Sequence, residues 1–110
     1  MDPEDNKLVV LARATRARTG APEGAALRDL DGRTYAAGTV DLPSLKVSAL
    51  GVVIAMAVAS GAKGAEAAVV LTAADEVTTG DLEALRDFAG AEIPVHRGTA
   101  SGHVQDVTTT

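Results

Sequence analysis

The chain has 110 residues and a formal charge of −5, and 46% of its residues are hydrophobic. This composition is typical of one packed globular domain and excludes a largely disordered chain. The negative charge and the 2% aromatic content disfavour a general nucleic-acid binder, which needs basic surface and stacking rings. Because cysteine is absent, disulfides, thiolate nucleophiles and thiolate metal ligands are excluded.

Neither the first segment nor the longest apolar run looks like a targeting or membrane-spanning segment. The first segment, MDPEDNK, is acidic and polar, which is unlike a signal or transit peptide. The longest apolar run, Ala49 to Ala59, is too short to cross a bilayer. We therefore expect a soluble cytoplasmic protein, with a composition typical of a high-GC bacterial genome.

The first predicted elements are a helix and a hairpin. Asp2 and Pro3 form a good helix start, with a side-chain oxygen as N-cap and proline in the first turn. Two strands, Ala25–Asp29 and Arg33–Gly38, then flank the dipeptide Asp31-Gly32, which is a strong hairpin signal.

A second helix is predicted over Leu45–Ser60, with Ser44 as its N-cap. It is apolar nearly all round, so we expect burial on more than one side. Gly51, Ala55 and Ala59 are spaced four apart and form a smooth stripe on which another backbone could pack.

The rest of the chain alternates strands with a helix. Ala67–Thr72 is a continuous apolar strand, typical of a sheet covered on both faces. A helix over Gly80–Ala89 and a strand over Glu92–Arg97 complete a parallel crossover. His103–Val107 is predicted as a short last strand.

The order of these elements predicts the fold class. A helix, a hairpin, a helix and a strand–helix–strand unit indicate an α/β protein, a three-layer α/β/α sandwich around a mixed sheet. We expect residues 1–110 to form a single domain, with frayed ends at residues 1–3 and 108–110.

Several local sequences, in this order, resemble the small cytidine deaminase family over Leu8–Val107. Leu8–Arg18 is similar to the family's first helix, and EGAALRDLDGRTYAAG to its first hairpin. Leu85-Arg86-Asp87-Phe88 is similar to the end of the helix that begins with the paired zinc cysteines. The resemblance implies the same cytidine deaminase-like sandwich.

The resemblance also assigns four positions to the family's zinc chemistry. A zinc deaminase needs three metal ligands and a carboxylate that moves the proton of the bound water. The first ligand position corresponds to Ser48, the proton-transfer position to Leu50, and the two cysteine positions to Thr78 and Asp81. We therefore expect a degenerate site without zinc, although zinc is the cofactor of the family.

A second implied site concerns the family's ribose-binding motif, Asn-x-Glu. Thr39-Val40-Asp41 occupies its place, and the resemblance puts four polar residues around the remaining pocket: Thr39, Asp41, Ser44 and Lys46. A polar rim over an apolar floor is typical of a small-ligand site. These residues could bind a nucleoside-like ligand, but ordinary polar loop residues are the preferred interpretation.

The two histidines, His96 and His103, could form a metal site with Asp106, but their spacing matches no known ligand pattern. Surface histidines near a strand end and a turn are the preferred interpretation. Ser48 has only apolar helix neighbours, so a hydrogen-bonded helix serine is preferred to a nucleophile.

Two groups of charged residues have functional and structural interpretations. Four acids near the third helix could bind a cation or transfer protons, or could complement the helix dipole: Asp75, Glu76, Asp81 and Glu83. Five arginines could form a phosphate-binding edge or an ordinary solvated face: Arg13, Arg16, Arg18, Arg28 and Arg33. The structural interpretation is preferred for both.

The sequence is compatible with three functions. The first is a zinc-free, non-catalytic binding or scaffold protein that forms homo-oligomers, dimers or tetramers, through the 45–60 helix. The second is a cytidine deaminase or other hydrolase that uses a divergent site in the same pocket. The third is a partner in a nucleotide- or RNA-related complex, although direct nucleic-acid binding and membrane binding are not expected.

Overall fold

The computed structural model describes residues 1–110, which form three helices and seven strands. In chain order these are α1 (Pro3–Thr19), β1 (Gly24–Asp29), β2 (Thr34–Gly38), β3 (Val40–Leu42), β4 (Leu45–Val47), α2 (Ala49–Ala59), β5 (Ala65–Leu71), α3 (Thr79–Ala89), β6 (Pro94–Gly98) and β7 (Val104–Thr109). None of the helices combines the length and the hydropathy that a membrane crossing requires.

The main sheet has five strands in the order β2-β1-β5-β6-β7. β5 and β6 are parallel and are connected through α3, whereas the other neighbouring strands are antiparallel. The predicted mixed sheet and its parallel crossover are therefore confirmed.

Helices cover both faces of this sheet. Because side chains alternate along a strand, Ala26 of β1 packs with Leu8 and Ala12 of α1. Its neighbours Ala25 and Leu27 belong to the opposite cluster, which contains the buried residues of α2 and α3. This arrangement confirms the predicted three-layer α/β/α sandwich.

The backbone of α1 lies very close to β1 at Gly24. A Cβ atom on Gly24 would be 2.4 Å from the carbonyl oxygen of Ala12 and 2.8 Å from the Cβ of Arg16. The absence of a side chain at Gly24 therefore allows α1 to pack this close to the sheet.

The predicted start of the second helix is wrong. Leu45–Val47 pairs with Val40–Leu42 in a small hairpin, and α2 begins only at Ala49. Pro43 and Ser44 form the turn of this hairpin, since the fixed φ of proline suits a turn position. Ser44 is therefore a turn residue and not an N-cap.

Ser48 takes the capping role instead. Its backbone is extended, and its Oγ accepts a hydrogen bond from the backbone N–H of Gly51 at 3.0 Å. Such a bond satisfies one of the free N–H groups at a helix start.

One side of α2 is buried and the other is exposed in the single chain. Leu50, Val53 and Ala57 belong to the core, but four small or apolar residues are exposed: Ala55, Met56, Val58 and Ala59. Burial of α2 on more than one side is therefore not achieved within one chain.

Residues near both ends of the chain form hydrogen bonds. Asp2 Oδ1 accepts a hydrogen bond from the N–H of Glu4 at 2.7 Å and caps α1. At the other end β7 extends to Thr109, and the Oγ1 of Thr110 donates to the carbonyl of Gly90 at 2.6 Å. Thr108 and Thr109 also pair with Val95 and Pro94 of β6.

Candidate functional site

The starts of two helices meet on the same side of the sheet. Ser48 caps α2, and Thr78 caps α3 by accepting a hydrogen bond from the N–H of Asp81 at 3.2 Å. Serine and threonine are preferred at N-caps because their oxygens satisfy N–H groups that the helix leaves free. The local sequence therefore explains why both side chains point to the helix starts.

A hydrogen bond joins the two helix starts. The Oγ of Ser48 donates to Oδ1 of Asp81 at 2.7 Å while it accepts from Gly51. A serine hydroxyl has one proton and two lone pairs, so the donor of Ser48 is fully used. The structure thus brings together three of the four residues that the resemblance assigned to zinc chemistry, namely Ser48, Thr78 and Asp81.

The fourth residue, Leu50, is fully buried in the apolar cluster beneath α2. Its side chain has no polar atom and therefore cannot carry a proton. Position 50 contributes packing to the core.

The charge of Asp81 is well placed for both helices. A helix start carries a partial positive charge, and carboxylates near it are stabilising. α2 has no acidic residue in its first turn, whereas Asp81 lies in the first turn of α3 and reaches Ser48 at the start of α2. This contact supports the dipole interpretation of Asp81.

The residues at this place do not fit a zinc ion. Zinc in proteins is held by thiolates, imidazoles and carboxylates, and Asp81 is the only such group among the four. One of its oxygens already accepts the proton of Ser48. Nowhere in the structure do three His, Cys, Asp or Glu side chains form a group that could hold a metal ion.

The residues predicted to bind a ligand lie on or beside the β3–β4 hairpin. The Oγ1 of Thr39 accepts a hydrogen bond from the N–H of Glu23 at 3.2 Å. Asp41 and Lys46 form an ion pair of 2.6 Å on the hairpin, and both side chains are largely exposed. Ser44 is exposed in the turn. None of these residues is hydrogen-bonded to Ser48 or Asp81.

The surface pockets of the single chain lie elsewhere. One of about 240 Å³ lies between α3 and the end of β7, and it is lined by Thr79, Leu82, Glu83, Arg86, Thr109 and Thr110. The other two involve α1 and the acidic loop before α3. None of the eight predicted site residues lines any of the three.

His96 is not the surface residue that the sequence predicted. Its Nε2 is 3.0 Å from Oδ2 of Asp5, and its side chain is only 14% exposed. Nη2 of Arg28 is 2.8 Å from the other oxygen of Asp5. Burial alone would raise the pKa of Asp5, but the hydrogen bonds and charges of Arg28 and His96 hold it below its usual value.

Asp106, which the sequence analysis considered together with the two histidines, has a different partner. Asp106 pairs with the buried guanidinium of Arg97, which also donates to the carbonyl of Ala74 at 3.0 Å. The hydrogen bond with Asp106 raises the pKa of Arg97, although burial acts in the opposite direction. His96, His103 and Asp106 therefore do not form a metal site.

Arg28 belongs to the cluster with Asp5 and His96 and not to a free basic edge. The contacts of Arg28 and Arg97 were not recognised from the sequence. Only the isolated charges within apolar strands could have indicated them.

Comparisons with known proteins agree on one fold. A family model described as Cytidine deaminase-like matches residues 1–102. A cytidine deaminase structure from Burkholderia pseudomallei is 21% identical with a TM-score of 0.82, and the match covers 99% of this chain and 93% of that chain.

Two mycobacterial structures give similar results. A cytidine deaminase from Mycobacterium leprae is 23% identical with a TM-score of 0.77, covering 98% of this chain and 94% of that one. One from Mycobacterium tuberculosis is 21% identical with a TM-score of 0.73, covering 86% and 85% respectively. At these identities the structures show a shared fold. No curated protein sequence matches the chain.

Proposed function

This chain belongs to the cytidine deaminase-like family, and we propose that it acts as a non-catalytic, homo-oligomeric binding or scaffold protein. This function is supported by the contacts of the four residues that the resemblance assigned to zinc chemistry. Ser48 and Asp81 are hydrogen-bonded to each other, Thr78 caps α3, and Leu50 is buried in the core.

The chemistry of deamination explains why this observation matters. Hydrolytic removal of an amino group by a zinc deaminase needs a metal-activated water and a carboxylate that transfers its proton. Ser48, Thr78 and Asp81 do not fit the metal, and Leu50 replaces the proton carrier. The proposal therefore separates the fold of the family from the reaction of its zinc enzymes.

We expect the purified chain to contain no stoichiometric zinc and to leave cytidine unchanged after long incubation. The reason is the lack of ligands and of a proton carrier at the four positions. Elemental analysis and chromatography of the nucleoside measure the two quantities, with an active cytidine deaminase assayed in parallel as the control. Equimolar zinc, or turnover above the buffer rate, would contradict the proposal.

An exposed apolar surface supports the homo-oligomeric part of the proposal. Met56 and Val58 of α2 are exposed beside Ala55 and Ala59 on the same helix, and Leu42 and Leu45 are exposed on the hairpin that precedes α2 in the chain. An exposed apolar helix face is typical of an interaction site. We propose that segment 45–60 packs against a second copy of the chain.

Substitution of Val58 by glutamate is expected to convert the oligomer into monomers, because a charge would be buried in the contact. Light scattering at matched concentration measures the mass. Val10→Glu is the matched control, since Val10 on α1 is 49% exposed and Val58 is 54% exposed. A wild-type chain that is monomeric at tens of micromolar, or equal masses for both variants, would refute assembly through α2.

The alternative function is a pyrimidine nucleoside deaminase, or another hydrolase, that uses a divergent site in the same pocket. Membership of the cytidine deaminase-like family is the reason to test this alternative. Asp81 is the only acid among the four key positions, so it is the residue on which such a reaction would depend. Turnover that is lost in Asp81→Asn would select this function over the non-catalytic one.

A further inference from the structure

We propose that the hydrogen bond between Ser48 and Asp81 replaces a metal ion as the link between the starts of α2 and α3. This inference rests on the zinc-free site of the proposed function. It adds a structural role for the changed residues, because the same positions that do not fit zinc still contact each other at 2.7 Å.

The need for a link follows from how α3 is attached. α2 has five buried residues, namely Ala49, Leu50, Val53, Ile54 and Ala57. In α3 only Leu85 is fully buried, and four residues are partly buried against the same core: Leu82, Ala84, Phe88 and Ala89. Because most of the apolar side chains of α3 are only partly buried, packing attaches this helix less firmly than it attaches α2. A polar contact at its first turn therefore adds to its attachment to α2.

The geometry of Asp81 points to a link between helices and not to a local cap. Thr78 and Asp81 have the spacing of a capping box, in which the third helical residue bonds back to the N–H of the N-cap. Here the carboxylate of Asp81 accepts its hydrogen bond from Ser48 on the other helix. Thr78 supplies the cap of α3 independently, through the N–H of Asp81.

The bond also has the features of a strong contact. Its acceptor is a carboxylate, and hydrogen bonds to charged groups are shorter and stronger than neutral ones. The contact is partly buried, which limits competition from water. The negative charge faces the positive starts of both helices, as the anionic ligands of a metal would.

A double-mutant cycle in thermal unfolding tests this role. Asp81→Ala, Ser48→Ala and the double variant are compared with wild type at one protein concentration, with a chelator in every sample. Ser48→Ala also removes the cap of α2, but that loss is present in both the single and the double variant and so cancels. The cycle then isolates the contact between the two side chains.

We expect Asp81→Ala to lower the Tm by about 5–10 °C, because a charge-assisted hydrogen bond is lost from a chain of this size. The double variant should melt several degrees higher than additive shifts would place it. Glu83→Ala is the matched control, an exposed acid on the same helix without such a partner, and its Tm should stay within about 2 °C of wild type.

Additive shifts, or a Tm for Asp81→Ala equal to that of Glu83→Ala, would overturn the link. Either result would leave the zinc and turnover measurements unaffected, so failure of the link is distinguishable from failure of the proposed function. Turnover of cytidine would refute the non-catalytic function, whereas the link is judged by the cycle alone.

Discussion

Leu50→Glu is expected to abolish stable folding. Leu50 is fully buried in the larger apolar cluster, where a glutamate carboxylate would lose its hydration without gaining a partner. The cost is on the order of 3–5 kcal/mol or more, a large part of the roughly 5–15 kcal/mol by which domains are usually stable. Placing an acid at this one position therefore does not supply a proton carrier.

Circular dichroism and thermal unfolding measure this effect. Leu50→Met is the control, because it keeps the volume and the apolar character of the side chain and should cost less than about 1.5 kcal/mol. If Leu50→Glu folds with a Tm close to that of wild type, position 50 faces an accessible pocket. That outcome would favour the hydrolase alternative.

Gly24→Ala is expected to destabilise the chain by about 1–3 kcal/mol, the usual cost of forcing an extra group into a packed interior. The new Cβ would meet the backbone oxygen of Ala12 at 2.4 Å, and a backbone atom cannot rotate away as a side chain can. α1 must move as a whole, so its contacts with β1 and β5 weaken together.

Urea unfolding measures the loss, and Gly80→Ala is the matched control. Gly80 lies in the first turn of α3, and no atom lies within 4 Å of the place that its Cβ would occupy, so alanine fits there without a clash. Because alanine favours helices, this variant should be neutral or more stable by up to about 1 kcal/mol. Equal effects of the two substitutions would contradict the role assigned to Gly24.

Features that depend on neighbouring residues were predictable from the sequence. The hairpin around Asp31-Gly32 is an example, because the turn residues and the flanking strands are adjacent in the chain. The continuous apolar run at Ala67–Thr72 likewise indicated a strand covered on both faces, and β5 has helices on both sides. Such signals sufficed for the layers and for the mixed sheet.

The start of α2 was missed because two local interpretations compete there. Ser44 and Ser48 are both suitable N-caps, and Leu45–Val47 is too short for an alternating pattern to stand out. The hairpin pairing of these residues with Val40–Leu42 decides between them. Strand and helix propensities alone cannot decide between the two interpretations, because pairing stabilises the strand through contacts outside the segment.

Contacts between residues that are far apart in the chain could not be predicted from the sequence. Ser48 and Asp81 are separated by 33 residues, and Asp5 and His96 by 91. The resemblance identified Ser48, Thr78 and Asp81 as related positions, but nothing in the residue types indicated a bond from the serine to the aspartate. For Asp5 and His96 no signal existed, because the surfaces that meet belong to opposite ends of the chain.

The main sheet of this chain cannot form before β1 pairs with β5. Leu27 and Ala68 face each other across the middle of the sheet but lie about 40 residues apart, and such distant pairing is slow compared with a local hairpin. During synthesis β1 and β2 therefore emerge and pair well before β5 is available. Until then the inner edge of β1 is open, which makes the nascent chain most prone to aggregation over this interval.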